Sequence, residues 1–189
     1  FAEGFTSYYT SLIMRRAGLL SKEDYIQGLT STFNYVWNSP ARKFFNPIEM
    51  SYQAPFVDAA TAVDPVNRNN TFISYYSYGS ALGLALDLSL REKDLNLDDY
   101  MKLVWKEHGK KEKPYTIEDL HALLKEYAGD AFGDHFFQKY IYKSEMPEMQ
   151  RLFESVGVSL SQDTTIPSFG VTVSNGAITQ NTTIGTAAY

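Results

Sequence analysis

The chain has no cysteine. Disulfide stapling and thiolate catalysis are therefore excluded, and the fold must be held by an ordinary apolar core. Positive charge is also in short supply. Seventeen Lys and Arg face twenty-two Asp and Glu, a net charge of -5 with a pI near 5.2. A nucleic-acid binder needs a basic face, so that class is disfavoured, as is docking on anionic membranes. Long hydrophobic runs are lacking too: the longest, residues 78–90, is broken by Asp87 and is too short to span a bilayer. No positively charged segment followed by an apolar one opens the chain, so no signal peptide is read there. No internal repeat, phosphate loop or Gly-x-Gly-x-x-Gly is present, and the three histidines, His108, His121 and His135, stand in no His-x-x-x-His or His-Glu-x-x-His spacing. They read as structural or surface residues.

What the chain has in quantity is aromatic residues, with 14 Tyr and 12 Phe, which predicts clefts and cores where tyrosine hydroxyls find partners. Its 189 residues suffice for one sizeable domain, or one domain with a small addition.

Local signals predict seven helices. In the first, Phe1, Phe5, Tyr8, Tyr9 and Leu12 form one stripe, with Glu3, Thr6, Ser7 and Thr10 opposite, and Gly18 is a fitting stop. Ser21, with Asp24 three residues on, starts the second, running to about Trp37. Residues 38–70, with four prolines and an Asn-rich end, read as irregular, and so long a loop suggests function. From Ser74 to about Arg91 the pattern is helical and apolar nearly all round, a core helix in which Gly79, Ser80, Gly83 and Ala85 allow close backbone approach. Asp87 and Arg91 are spaced for an ion pair. Asn96 caps a fourth helix to His108, Thr116 a fifth to Ala128, Asp134 starts a sixth, and Pro147 sits in the first turn of a seventh that ends near Gly157. Residues 170–183 then alternate and contain Asn175-Gly176, a hairpin signal.

The expected fold is mainly α: a helical bundle over residues 1–157, then a short β segment over 158–189. Both ends read as cut from something longer.

Two stretches carry a further resemblance. AEGFTSYYTSLIMRRAGLLS (residues 2–21) resembles the segment that follows the zinc-binding helix in the glycyl-aminopeptidase family of gluzincin metallopeptidases. SYYSYGSALGLALDLSLR (74–91) resembles that family's second helical signature. IEMSYQAPF (48–56) lies between them, and EMPEMQRLFESVGVSL (145–160) precedes PSFGVTVSNGAITQNTTIGTAAY (167–189), which is similar to the opening strands of a PDZ module.

The resemblance implies that Glu3 matches the third zinc ligand, and that the aromatic stripe of its helix anchors the opposite side in the core. It also implies that Tyr76 matches a tyrosine donating a hydrogen bond to the tetrahedral oxyanion. Tyr78 stands where a lysine is common, and Tyr75 competes with Tyr76 for the role. The family's two His ligands and general-base Glu have no counterpart in this sequence.

The implied parent is a zinc aminopeptidase that removes small amino-terminal residues, Gly or Ala, from peptides. The upstream half of the catalytic domain would be its structural partner. The 189 residues alone are expected to be inactive, with no zinc of their own, and the PDZ-like part to be incomplete. The competing readings are a non-catalytic peptide-binding scaffold and an unrelated helical interaction domain. The compartment is not fixed by the sequence.

Overall fold

A computed structural model describes residues 1–59, 67–165, 168–178 and 182–189. Residues 60–66 of the expected irregular stretch, and 166–167 and 179–181 of the expected β segment, lie outside the described residues.

The described chain is mainly α-helical. Its elements are α1 (Ala2–Arg16), α2 (Lys22–Trp37), α3 (Pro47–Tyr52), α4 (Arg68–Thr71), α5 (Tyr75–Arg91), α6 (Leu97–Glu107), α7 (Ile117–Ala128), α8 (Asp130–Phe136), α9 (Met149–Glu154), β1 (Val173–Ser174) and β2 (Ala177–Ile178). It falls into two compact units, Phe1–Ala81 with Ser161–Tyr189, and Leu82–Leu160. The division falls inside α5.

Most helix starts follow the local code. The Ser21 hydroxyl accepts from the Asp24 amide, Asn96 from Asp99, and Thr116 from Asp119, each satisfying an amide that the first turn leaves open. α1 ends as expected, with Gly18 at φ 74.

Three expectations change. Residues 38–59 are not irregular. They hold a 3-10 turn at Pro40–Lys43, then α3, then a wide π turn at Pro55–Ala59. α3 carries its own start signal: Asn46 accepts from Ile48 and Glu49, Glu49 accepts from the Asn46 amide, and Pro47 fills the first helical position. The sixth expected helix begins at Asp130 rather than Asp134, directly after Gly129, and runs on into a π turn at Phe137–Ile141. The last helix starts at Met149, two residues beyond Pro147.

In the first unit, Tyr8, Phe33, Val36, Met50, Ile73 and Tyr78 are buried. The aromatic stripe of α1 is only partly inside: Tyr8 is buried, Phe5, Tyr9 and Leu12 are half-buried, and Phe1 is exposed. The ridge of α1 that goes inside is Gly4 with Tyr8, four residues apart. The C-terminal segment joins this unit through buried Asn70, whose amide donates to Thr182 O at 2.9 Å and accepts from the Ile184 amide at 2.9 Å. β1 and β2 pair antiparallel, Val173 opposite Ile178, around a turn with Asn175 at φ 52 and Gly176 at φ 75. Positive φ at both central residues is the type I′ hairpin turn that the Asn-Gly pair favours.

In the second unit, α5 from Leu82 to Leu90 is buried almost all round, as its composition predicts. Asp87 makes the expected ion pair with Arg91 at 3.2 Å, but it is itself buried and also accepts from the Leu97 amide at 2.9 Å, closing the start of α6. The tyrosine hydroxyls find partners here: Tyr100 donates to Leu120 O at 2.8 Å, and burial pushes its phenol well above the usual range. Tyr127 donates to Asn96 O at 3.0 Å and accepts from the Asn96 amide at 3.2 Å. Among the described residues no helix is long and apolar enough to cross a membrane.

Candidate functional site

Glu3 lies in the first turn of α1 and is exposed; the helix dipole favours an acid there. Ser7 sits one turn on along the same face, its hydroxyl donating to the Glu3 carbonyl at 3.0 Å. Tyr76 is the second residue of α5 and is 42% exposed. Its ring stacks on Tyr75 at 5.3 Å, and Tyr75 in turn meets Phe72 edge-on at 6.2 Å. The start of α5 is held by Tyr35 of α2, whose hydroxyl accepts from the Ser74 amide at 3.1 Å.

α1 and α5 touch backbone to backbone at Gly4 and Gly79. A Cβ built on Gly4 would lie 2.3 Å from Gly79 Cα, and one on Gly79 would lie 2.8 Å from Gly4 Cα. Glu3 is next to this crossing in the chain, and Tyr76 precedes it by one helical turn. The close approach expected at Gly79 is therefore present, and its partner is a glycine in the same helix as Glu3.

A cleft of about 370 Å³ opens beside Tyr76, within the first unit. The α1 wall is Ser7, Tyr8 and Ser11; α5 gives Ser77 and Ser80 besides Tyr76. The remaining wall is Leu20 and α2, where Asp24, Gly28 and Thr32 recur every four residues along one face. Glu3 is not in this wall. Of the tyrosines at the start of α5, Tyr76 reaches the cleft, Tyr75 lies half-buried behind it, and Tyr78 is fully buried as a packing residue. Sequence reasoning missed the α2 wall. Its one signal was Gly28, a helix-interior glycine.

The histidines are all in the second unit. His108 is buried with Nδ1 3.2 Å from Pro114 O, which assigns the ring proton to that nitrogen. His121 stacks on Phe137 at 4.5 Å with Nε2 2.9 Å from Asp134, and His135 Nε2 is 3.2 Å from the Tyr140 hydroxyl. Among the described residues no group of three or more His, Asp or Glu side chains is arranged to hold a metal ion.

Residues 1–82 match the M61 glycyl aminopeptidase family model. The matched segment is less than half of the chain. It includes Glu3, the Gly4–Gly79 crossing, Tyr76 and every residue of the cleft wall. The whole fold is similar to the crystal structure of an aminopeptidase N family protein from Idiomarina loihiensis. The TM-score is 0.77 and the identity 26%, over 93% of this chain and 30% of that one. Comparison with curated proteins gives no match. The M61 segment and the structural neighbour agree on aminopeptidases, as the resemblance implied, and the chain spans less than a third of the neighbour's length.

Proposed function

We propose that the chain is part of a zinc-dependent aminopeptidase that removes small amino-terminal residues, Gly or Ala, from peptides. Glu3 is one zinc ligand in this reading, and Tyr76 donates its hydroxyl proton in a hydrogen bond to the oxyanion that develops when the peptide carbonyl is attacked. The observation that carries the reading is the Gly4–Gly79 contact, which draws the two helices bearing these side chains together. The family match to residues 1–82 supports it.

Zinc, when held, acts as a Lewis acid on the carbonyl and its attacking water. This chain contributes one carboxylate toward that zinc, and the remaining ligands and the general base come from residues outside these 189. Rigidity is the contribution of the fold: a backbone contact with no intervening side chain leaves α1 and α5 little freedom to slide, so the acid and the phenol keep their spacing. On its own the chain is inactive and takes up no stoichiometric zinc in this reading. Residues 158–189 would be the opening strands of a PDZ-like module, a reading that the Asn175-Gly176 hairpin supports only as far as a short β segment.

The test uses the longer polypeptide that contains this chain. Tyr76→Phe lowers kcat by about 10²-fold, the loss typical of one oxyanion donor, and leaves zinc content unchanged. Glu3→Ala lowers the zinc bound per chain. Normal turnover in Tyr76→Phe refutes the tyrosine's role, and full zinc content in Glu3→Ala refutes the ligand. If the unaltered polypeptide binds peptides without cleaving them, it is a scaffold.

A further inference from the structure

Asn70 is a buried polar side chain that the proposed chemistry does not use. One of its amide hydrogens goes to Thr182 O at 2.9 Å and the other to Asn67 Oδ1 at 2.8 Å, while its carbonyl oxygen accepts from the Ile184 amide at 2.9 Å. The partners at 182 and 184 are a carbonyl and an amide two residues apart, the groups that a strand presents along one edge. The intervening Thr183 amide goes the other way, to Gly170 O at 2.8 Å, and the Ala188 amide donates to Phe169 O at 3.2 Å. Residues 182–184 are thus held between the loop at Gly170 and the Asn70 side chain.

The α4 helix that carries Asn70 has four residues, too few to be stable without its surroundings. Its end leads directly to the aromatic stack at Tyr76. The Phe72 amide closes α4 by donating to Arg68 O at 2.8 Å, and the Arg68 guanidinium lies over the Phe72 ring at 5.2 Å. Phe72 is buried and meets Tyr75 edge-on, and Tyr75 stacks on Tyr76. Contacts therefore run from the turn of Asn70 through Phe72 and Tyr75 to Tyr76.

We infer that Asn70 is a positioning residue for Tyr76: it makes the placement of the tyrosine depend on residues 182–184 being docked. While they are docked, α4 and Phe72 are fixed, and Tyr75 holds Tyr76 at the cleft. When they leave, a buried amide loses two of its three partners, and water reaches it only if α4 opens. The aromatic stack then loses its base. The β segment in this way acts on the proposed centre without lending it a side chain.

The inference rests on the reading of Tyr76 given above, so its test includes a measurement independent of turnover. In the longer polypeptide that contains this chain, 3-fluorotyrosine replaces Tyr76, or Tyr100 in the second unit as a control, and its resonance is followed by fluorine NMR. Ile184→Pro removes the N–H that Asn70 accepts from, without touching α4. Asn70→Asp keeps the size of the side chain and gives up the donor to Thr182. Both variants are expected to shift or broaden the resonance at 76 and to leave the one at 100 in place. Both should lower kcat about 3- to 10-fold, less than removal of the phenol itself, with KM within about twofold. In the Tyr76→Phe background neither should lower kcat further, because the group being positioned is gone.

An unchanged resonance at 76 in both variants overturns the inference, whatever the turnover. Displacement of both resonances, or equal losses of kcat in the two backgrounds, overturns it as well, since either assigns the effect to the fold at large. A shifted resonance at 76 alone, together with normal turnover in Tyr76→Phe, upholds the coupling and refutes only the catalytic role of the tyrosine.

Discussion

Gly4 and Gly79 meet with no side chain between them, close enough that a methyl group on either would sit within 2.3 or 2.8 Å of the other's Cα. Such distances cannot be relieved by a rotamer change, because the obstructing atoms are backbone.

Gly79→Ala should therefore push α1 away from α5. Overpacking of this kind costs about 1–3 kcal/mol. The gain in helix propensity, about 1 kcal/mol, offsets only part of it. Urea unfolding should show a lower midpoint for Gly79→Ala and a higher one for Gly28→Ala, where a Cβ would meet nothing within 4 Å: two glycine-to-alanine changes of opposite sign in the same unit.

Asp87 satisfies the Leu97 amide and Arg91 together from a buried position. Asp87→Ala leaves that buried N–H without its acceptor, at a cost of about 1–3 kcal/mol. Asp87→Asn keeps an acceptor oxygen and should lose less. Amide exchange of Leu97 reads the difference: fast in the alanine variant, intermediate in the asparagine one.

Asp119 accepts from the Thr116 amide at 2.8 Å, and that hydrogen bond holds its carboxyl below the usual range. A group depressed in the folded state stabilises above its unfolded pKa, about 3.9, and the contribution fades as pH falls through the folded value. Wild type should exceed Asp119→Asn in melting temperature at pH 6–7, and the gap should shrink below about pH 4. A gap that is constant with pH would mean the carboxylate's charge contributes nothing.

Asn175 and Gly176 both occupy the left-handed region. Gly176→Val puts a β-branched residue there, at roughly 1–2 kcal/mol. The cross-strand contact between Val173 and Ile178 should disappear from NOE spectra, while helical circular dichroism stays unchanged.

Much of the helix map was legible because its signals are local. Ser21, Asn96 and Thr116 each cap an amide three residues away, and Gly18 ends α1 with its own φ. α3 was readable in principle from Asn46, Pro47 and Glu49, but four prolines over residues 38–70 suggested irregular chain. Asp134 resembled a helix start, yet Gly129 had already reset the backbone and Asp134 instead pairs with Lys125 and His121. The stripe of α1 goes inside only in part, for a different reason. Periodicity ranks side chains by hydrophobicity, and the residue most tightly enclosed there has none.

The order and type of most elements, the acid in the first turn of α1, the tyrosines opening α5 and the hairpin turn were determined by the sequence itself, because each depends on residues within a few positions. Tertiary structure alone decided that Gly4 meets a glycine 75 positions away, that Asn70 ties down Thr182 and Ile184, and that Tyr76 rather than Tyr75 lines a cleft. Those contacts depend on how helices are brought together in space, and no spacing along the chain encodes which face meets which.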